Sequence, residues 1–269
     1  MSVIGKLRNF ALYHVAGMLT KSGTFRRHLG TFDRDLDPHF LRAVSLIRNA
    51  SDEEAIFVRD LVSSTYSNAD MNQDLWVLHE TRHKACGYFV EFGATDGVTG
   101  SNTFLLERDF GWRGILAEPN PVWRGALKRN RKANIDHRCV FDRTGDQVKF
   151  AATKHPDLAT ILDFLSADGH AKARTEHVVI EVETVSLNDL LERHEAPRSI
   201  DYISIDTEGS ELRILEKFDF EKWNVNLFSV EHNLTAQEQA LDELMLQNGY
   251  ERRYASYSGI DAWYRKRLG

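Results

Sequence analysis

From residue 88 onward, short apolar runs alternate with amphipathic stretches along the chain. Tyr88–Phe92 and Gly114–Glu118 predict two buried strands flanking a helix over Asn102–Phe110. A helix over Pro121–Lys132 then leads to a third strand at Arg138–Phe141. Farther along, Val178–Val182 is extended and Ser186–His194 helical. Ile200–Ile205 and Val225–Glu231 predict two further buried strands, with a helix across Ser210–Phe218 between them. Ala236–Asn248 is helical, and Tyr250–Ala255 with Ala262–Tyr264 closes as a two-stranded ribbon. Strands alternating with helices imply a mainly parallel sheet, covered on both faces and wound right-handed, with the ribbon as an antiparallel edge.

The first 85 residues or so read as helical instead. Ser51 and Glu54 form a capping box ahead of Ala55, Phe57, Leu61 and Val62. A second helix spans Asn72–Lys84. The division that follows is a helical extension over residues 1–72 and an α/β domain over residues 73–269. Residues 155–176 break the strand–helix rhythm and carry Asp163, Asp168, His170 and Arg174. An irregular insertion of that length is expected to be a lid or binding loop over the substrate, with a passive surface excursion as the alternative.

Composition narrows the partners. A formal net charge of -6, with no basic tract beyond Tyr264–Arg267, disfavours a nucleic-acid partner, which needs a positive face to displace phosphate counterions, and leaves room only for a local basic groove. Cys86 and Cys139 are too few for a four-thiolate zinc site and read as two buried free thiols of a protein in the reducing cytoplasm, with a single disulfide as the alternative. The apolar run Phe10–Leu19 is too short to span a bilayer. Ile4, Leu7, Ala11, Val15 and Met18 recur at helical spacing beside Lys6 and Arg8, which predicts a packing helix or, less simply, a membrane-surface or partner contact, with a signal peptide as the remaining alternative.

In open sheets of this kind ligands bind beyond the carboxyl ends of the strands, so the chemistry is sought there. The first strand ends in Glu91, Phe92, Gly93, Ala94, Thr95, Asp96 and Gly97. This is neither G-x-G-x-x-G nor a P-loop. Glycines allow close backbone approach, while Glu91 and Asp96 repel a pyrophosphate and attract a cation. The sulfonium and amino groups of S-adenosylmethionine suit such a loop. The second strand ends in Glu118, Pro119 and Asn120, where an acid can accept both ribose hydroxyls. Asp142, past the third strand, is the candidate contact for an adenine amino group. Asp206, Glu208 and Glu211 cluster after the fourth strand, with Asp206 and Glu208 two residues apart on one face; Glu211 opens a helix and suits its dipole. Glu231 and His232 end the fifth. Beside the facing acids they form either an acid–base constellation with Glu208 and His232 as candidate bases, or a divalent Mg or Mn site with Asp206, Glu231 and His232 as ligands.

Four blocks in this order, GYFVEFGATDGVTGSNTFLLERDFGWRGILAEPNP, SLNDLL, IDYISIDTEGSELRIL and FSVEHN, resemble the FkbM methyltransferases. The resemblance runs from about Gln73 to Tyr264. It implies a Rossmann-like, seven-stranded methyltransferase domain acting on hydroxyls of sugars, glycans or related metabolites. It also implies that Glu91, Gly93, Asp96 and Gly97 line the methionine half of the cofactor, that Ser101 and Asn102 close the loop, that Glu118 holds the ribose, and that Asp206 and Glu208 sit beside the transferring methyl. The competing class is a non-catalytic protein of the same fold, a partner subunit in glycan assembly. Methylation of nitrogen or of nucleic acid is disfavoured, because the fourth strand ends in Asp-Thr-Glu-Gly rather than Asn/Asp-Pro-Pro-Tyr.

Overall fold

The computed structural model describes residues 56, 57, 61 and 67–267. In chain order these form α1 (Gln73–Glu80), β1 (Tyr88–Phe92), α2 (Phe104–Phe110), β2 (Arg113–Ala117), α3 (Arg124–Asn130) and β3 (Asn134–Asp136). Next come β4 (Cys139–Phe141), β5 (Gln147–Thr153), β6 (Thr160–Ile161), β7 (His177–Ser186), α4 (Leu187–Arg193) and β8 (Ser199–Ile205). The chain continues through α5 (Glu211–Leu215), β9 (Asn224–Glu231), α6 (Gln237–Gln247), β10 (Tyr250–Arg253), α7 (Ala255–Ser258) and β11 (Asp261–Lys266). The helix proposed at Ile4–Met18 and the capping box at Ser51–Glu54 lie outside the described residues; Ile56, Phe57 and Leu61 are helical.

Seven strands make one mixed α/β sheet in the order β10-β11-β9-β8-β1-β2-β3. Strands β3, β2, β1, β8 and β9 run parallel, and β11 is antiparallel to both β9 and β10, as the C-terminal ribbon predicted. Alternate residues feed two cores. Phe89, Leu116, Tyr202 and Leu227 pack with Trp76 of α1 and Trp263 of β11, whose rings stack at 4.9 Å. Val90, Ile115, Ile203 and Phe228 face the other way, onto Leu190, Ile214 and Leu241 of α4, α5 and α6. Both faces being covered is why these strands read as unbroken apolar runs. Helix α4 starts where predicted because the Ser186 hydroxyl accepts the Asp189 amide at 3.1 Å, an N-cap.

The third strand departs from the prediction. The sheet's third member is β3, whose Asn134 and Asp136 give no apolar run to detect, whereas Arg138–Phe141 contributes β4 to a second, four-stranded sheet, β4-β7-β5-β6. That sheet has its own small core of Cys139, Phe141, Phe150, Ile161 and Val182. The cysteines are unpaired, and Cys86 is exposed rather than buried. Among the described residues no helix is long and apolar enough to cross a membrane.

Candidate active site

Strand order reverses between β1 and β8, and there, at the carboxyl edge, a cavity of about 600 Å³ opens between the large sheet and the segment that follows β5. Phe92 and Gly93 of the β1 end line it. Gly93 has φ +71°, and a Cβ there would lie 2.2 Å from the Asp206 carbonyl oxygen. The β1 and β8 ends therefore meet backbone to backbone, which only glycine permits. Asp96 also lines the cavity, while its carboxylate accepts the Val98 and Thr99 amides, each at 2.8 Å, and fixes the turn.

Four residues assigned to the cofactor contact stand behind this loop. Glu91 is buried and accepts the Ser101 hydroxyl at 3.0 Å, the Asn102 amide at 2.8 Å and the Thr103 hydroxyl. Arg131, buried in turn, reaches Glu91, Glu107, the Gly97 carbonyl and the Ser101 and Thr103 hydroxyls. Asn102 donates to the Ser204 hydroxyl at 2.8 Å. Glu91, Gly97, Ser101 and Asn102 thus tie the loop to α2 and β8 rather than lining the cavity, and Ala94 is buried beside them. The sequence could not tell the loop's lining from its scaffold.

Glu118 and Pro119 line the cavity at the end of β2. The Glu118 carboxylate accepts the Asn120 amide at 2.7 Å and the Thr95 amide at 3.0 Å, and burial pushes its pKa up to about 7 against those two donors. Asn120 sits behind it, with Nδ2 3.4 Å from the Pro156 carbonyl. Asp142 is a correction. It lies outside the cavity and pairs with Arg213 at 2.5 Å, because β4 belongs to the second sheet. The residues that reach the cavity from β4 are Cys139 and Val140; burial pushes the Cys139 thiol to about 12, so it serves as an apolar wall.

Asp206, Glu208 and Glu231 converge, with one carboxylate oxygen of each within 4.8 Å of the others. All three line the cavity. Burial, then mutual repulsion, drives Asp206 and Glu231 well above the usual carboxylate range. Glu208 is pushed to about 7 by burial, opposed by Arg174. Glu211 accepts the Thr207 amide at 2.9 Å and the Gly209 amide at 3.0 Å, so it closes the turn into α5. His232 does not join the acids. Its Nδ1 accepts the Leu234 amide at 3.1 Å, and Nε2 faces Glu238 and Arg252. Adjacent residues at the end of a strand point to opposite sides, so Glu231 facing the cavity turns His232 away.

The insertion is fastened to this cluster. Arg174 is fully buried and donates to both Asp168 oxygens at 2.9 and 2.8 Å, to Glu208 Oε2 at 2.5 Å and to the Leu158 carbonyl at 3.0 Å. Thr160 donates to the Glu208 carbonyl at 2.9 Å, and Gly209, at φ +122°, lets Phe164 close to within 3.1 Å of where a Cβ would be. Leu158, Ile161 and His170 line the cavity, while Asp163 is exposed. Asp70 was not anticipated: a parallel bridge between Ala69 and Gly100 brings it to the cavity wall, a long-range contact with no local signal.

Similarity to solved structures is slight. A precorrin-6y C5,15-methyltransferase from Geobacter metallireducens is 13% identical with a TM-score of 0.36, over 67% of this chain and 72% of that one. A human methyltransferase 10 domain-containing protein is also 13% identical, TM-score 0.35, over 85% and 96%. A variant of MtNAS in complex with S-adenosylmethionine is 12% identical, TM-score 0.32, over 86% and 72%. No curated protein sequence matches the chain. The profile of the methyltransferase FkbM domain, by contrast, matches residues 91–252, more than half of the 269 residues and every strand end that lines the cavity. The chain belongs to the FkbM methyltransferase family.

Proposed function

We propose that the protein transfers a methyl group from S-adenosylmethionine to a hydroxyl oxygen of a sugar, glycan or related metabolite. The carrying observation is the placement of three converging carboxylates, Asp206, Glu208 and Glu231, beside the Gly93 backbone in a cavity whose other acidic end is Glu118. Among the described residues no lysine or arginine lines that cavity. Such a site favours a cationic sulfonium over a phosphate-bearing nucleotide. In this reading Glu118 accepts the ribose hydroxyls, Gly93 and Asp96 flank the methionine half, and Cys139 and Val140 form the wall for the base. Asp206 lies nearest the methyl, and residues 155–176 cover the acceptor.

The acceptor oxygen attacks the methyl carbon in line with the C–S bond. A C–O bond forms as the C–S bond breaks, and its electron pair stays on sulfur as S-adenosylhomocysteine. Alignment supplies several kcal/mol of the barrier. The hydroxyl proton passes to the carboxylate cluster, where Glu208, near 7, is matched to neutral pH. Calorimetric titration with S-adenosylmethionine, followed by transfer of labelled methyl to a panel of sugars, glycans and hydroxylated metabolites, tests this. Glu208→Gln is expected to lower turnover about 100-fold or more with cofactor affinity unchanged. Absence of saturable cofactor binding, or full turnover by that variant, refutes the proposal.

A further inference from the structure

We infer that Asp206, Glu208 and Glu231 together bind one hard divalent cation of the Mg or Mn type. This rests on the methyl-transfer reading and extends it, since an ion here would hold the acceptor hydroxyl and lower its pKa, and with the ion bound Glu208 would serve as its ligand rather than as a free base near neutral pH. The carboxylates come from three places, the end of β8, the loop after it and the end of β9, yet one oxygen of each lies within 4.8 Å of the others. Oxygens that share an ion at roughly 2.0–2.6 Å are separated by no more than about 4–5 Å. The spacing fits.

A cluster of acids alone means little, and a second observation singles this one out. Glu231 lines the cavity and is 8% exposed, and its Oε2 is buried without a hydrogen-bond partner among the described residues. The neighbouring buried acids are provided for: Glu211 accepts backbone amides, Asp168 takes both arms of Arg174, and Glu208 takes one. A buried acceptor left without a donor is costly and calls for a partner. Charge points the same way. Arg174 is divided between Asp168 and Glu208, so among the described residues Asp206 and Glu231 face each other with no cation of their own. With His232 turned away and Cys139 walled into a hydrophobic core, the donors are all oxygen, which selects a hard ion over zinc. The set differs from the one expected from sequence by the exchange of His232 for Glu208.

Two other occupants satisfy the same oxygens: a proton shared between Asp206 and Glu231, or the cofactor sulfonium itself. The full chain, stripped with chelator, is titrated with Mn²⁺ and followed by the paramagnetic resonance of free Mn²⁺, with and without S-adenosylhomocysteine, which lacks the sulfonium charge. One Mn²⁺ per chain is expected, displaced by excess Mg²⁺. Glu231→Gln is expected to weaken it at least tenfold while Asp163→Asn, on the exposed part of the lid, leaves it unchanged. Asp206→Asn supplies the same test if Glu231→Gln does not fold. Saturable S-adenosylhomocysteine binding with no saturable Mn²⁺ binding overturns the cation site and leaves the methyltransferase reading standing. Undiminished Mn²⁺ affinity in both variants also overturns it. Mn²⁺ binding without binding of S-adenosylmethionine or its product sinks the methyltransferase reading instead.

Discussion

Arg174 is the residue whose loss the structure predicts most sharply. Arg174→Met keeps length and apolar bulk but removes the guanidinium from between Asp168 and Glu208, taking the side-chain donor from Glu208 and from the Leu158 carbonyl and leaving Asp168, among the described residues, with only the His170 amide and Asn233 Nδ2 against its charge. Breaking a buried ion pair from one side costs about 3–5 kcal/mol, because the surviving charge is stranded. Against a total stability of roughly 5–15 kcal/mol for a domain, that is a large fraction. The stranding also predicts its own cure. In Arg174→Met with Asp168→Asn and Glu208→Gln together, no uncompensated charge remains, and at least half of the lost stability should return. Urea denaturation in metal-free buffer measures the global cost, and amide hydrogen exchange over residues 155–176 measures whether the insertion opens first. A loss below about 1 kcal/mol for Arg174→Met, with protection of the insertion unchanged, refutes the claim that this cluster fastens the lid.

Three further predictions bear on the cofactor loop and the fold. Glu118 has its pKa pushed to about 7 by burial, so cofactor affinity is expected to rise as pH increases through 7 and the carboxylate ionises. Glu118→Gln should flatten that profile and weaken binding about 10–100-fold by calorimetry, the effect of losing a charge-assisted contact worth roughly 1.5–3 kcal/mol. Gly93→Ala places a Cβ 2.2 Å from the Asp206 carbonyl at φ +71°, and should abolish cofactor binding and lower stability by about 1–3 kcal/mol in thermal denaturation. Asp74 is buried in α1, with Oδ1 bonded to the Ser67 hydroxyl and the Leu75 amide, Oδ2 without a partner among the described residues, and a pKa raised by burial to about 7. A pKa raised on folding gives stability that is full below the unfolded value of 3.8 and is lost as pH rises through 7. Asp74→Asn should therefore stabilise the protein at pH 8, by at most about 4 kcal/mol, and much less at pH 4; equal effects at both pH values refute the assignment.

What the sequence disclosed, and what it withheld, divides by the range of the interactions involved. The ends of β1, β2, β8 and β9 were legible because each is a buried apolar run stopped by glycine, proline or acid, and parallel topology gathers such ends at one edge. Asp142 was misplaced because a three-residue strand, Asn134–Asp136, is pinned in the sheet by pairing with β2 and carries no periodic signal. Its neighbour Cys139–Phe141 had the apolar signature but serves another sheet. Ser101 and Asn102 were grouped with the cofactor contacts by the family resemblance, and Glu91 by that and by its place beside the loop glycines. Only the packing of Arg131 behind them shows that they hold the loop's shape. His232 is different, since period-two alternation alone sets it opposite Glu231, and the sequence contained that answer. The insertion at residues 155–176 was recognised as an interruption, but its fastening through Arg174 to Glu208, 34 residues away, requires two segments to meet that nothing local brings together. The same contact links the acceptor cover to the carboxylate that receives the proton in the proposed reaction. Substitutions that loosen the cover should therefore alter Glu208 as well, and changes in acceptor preference and in the pH dependence of turnover should arise together rather than separately.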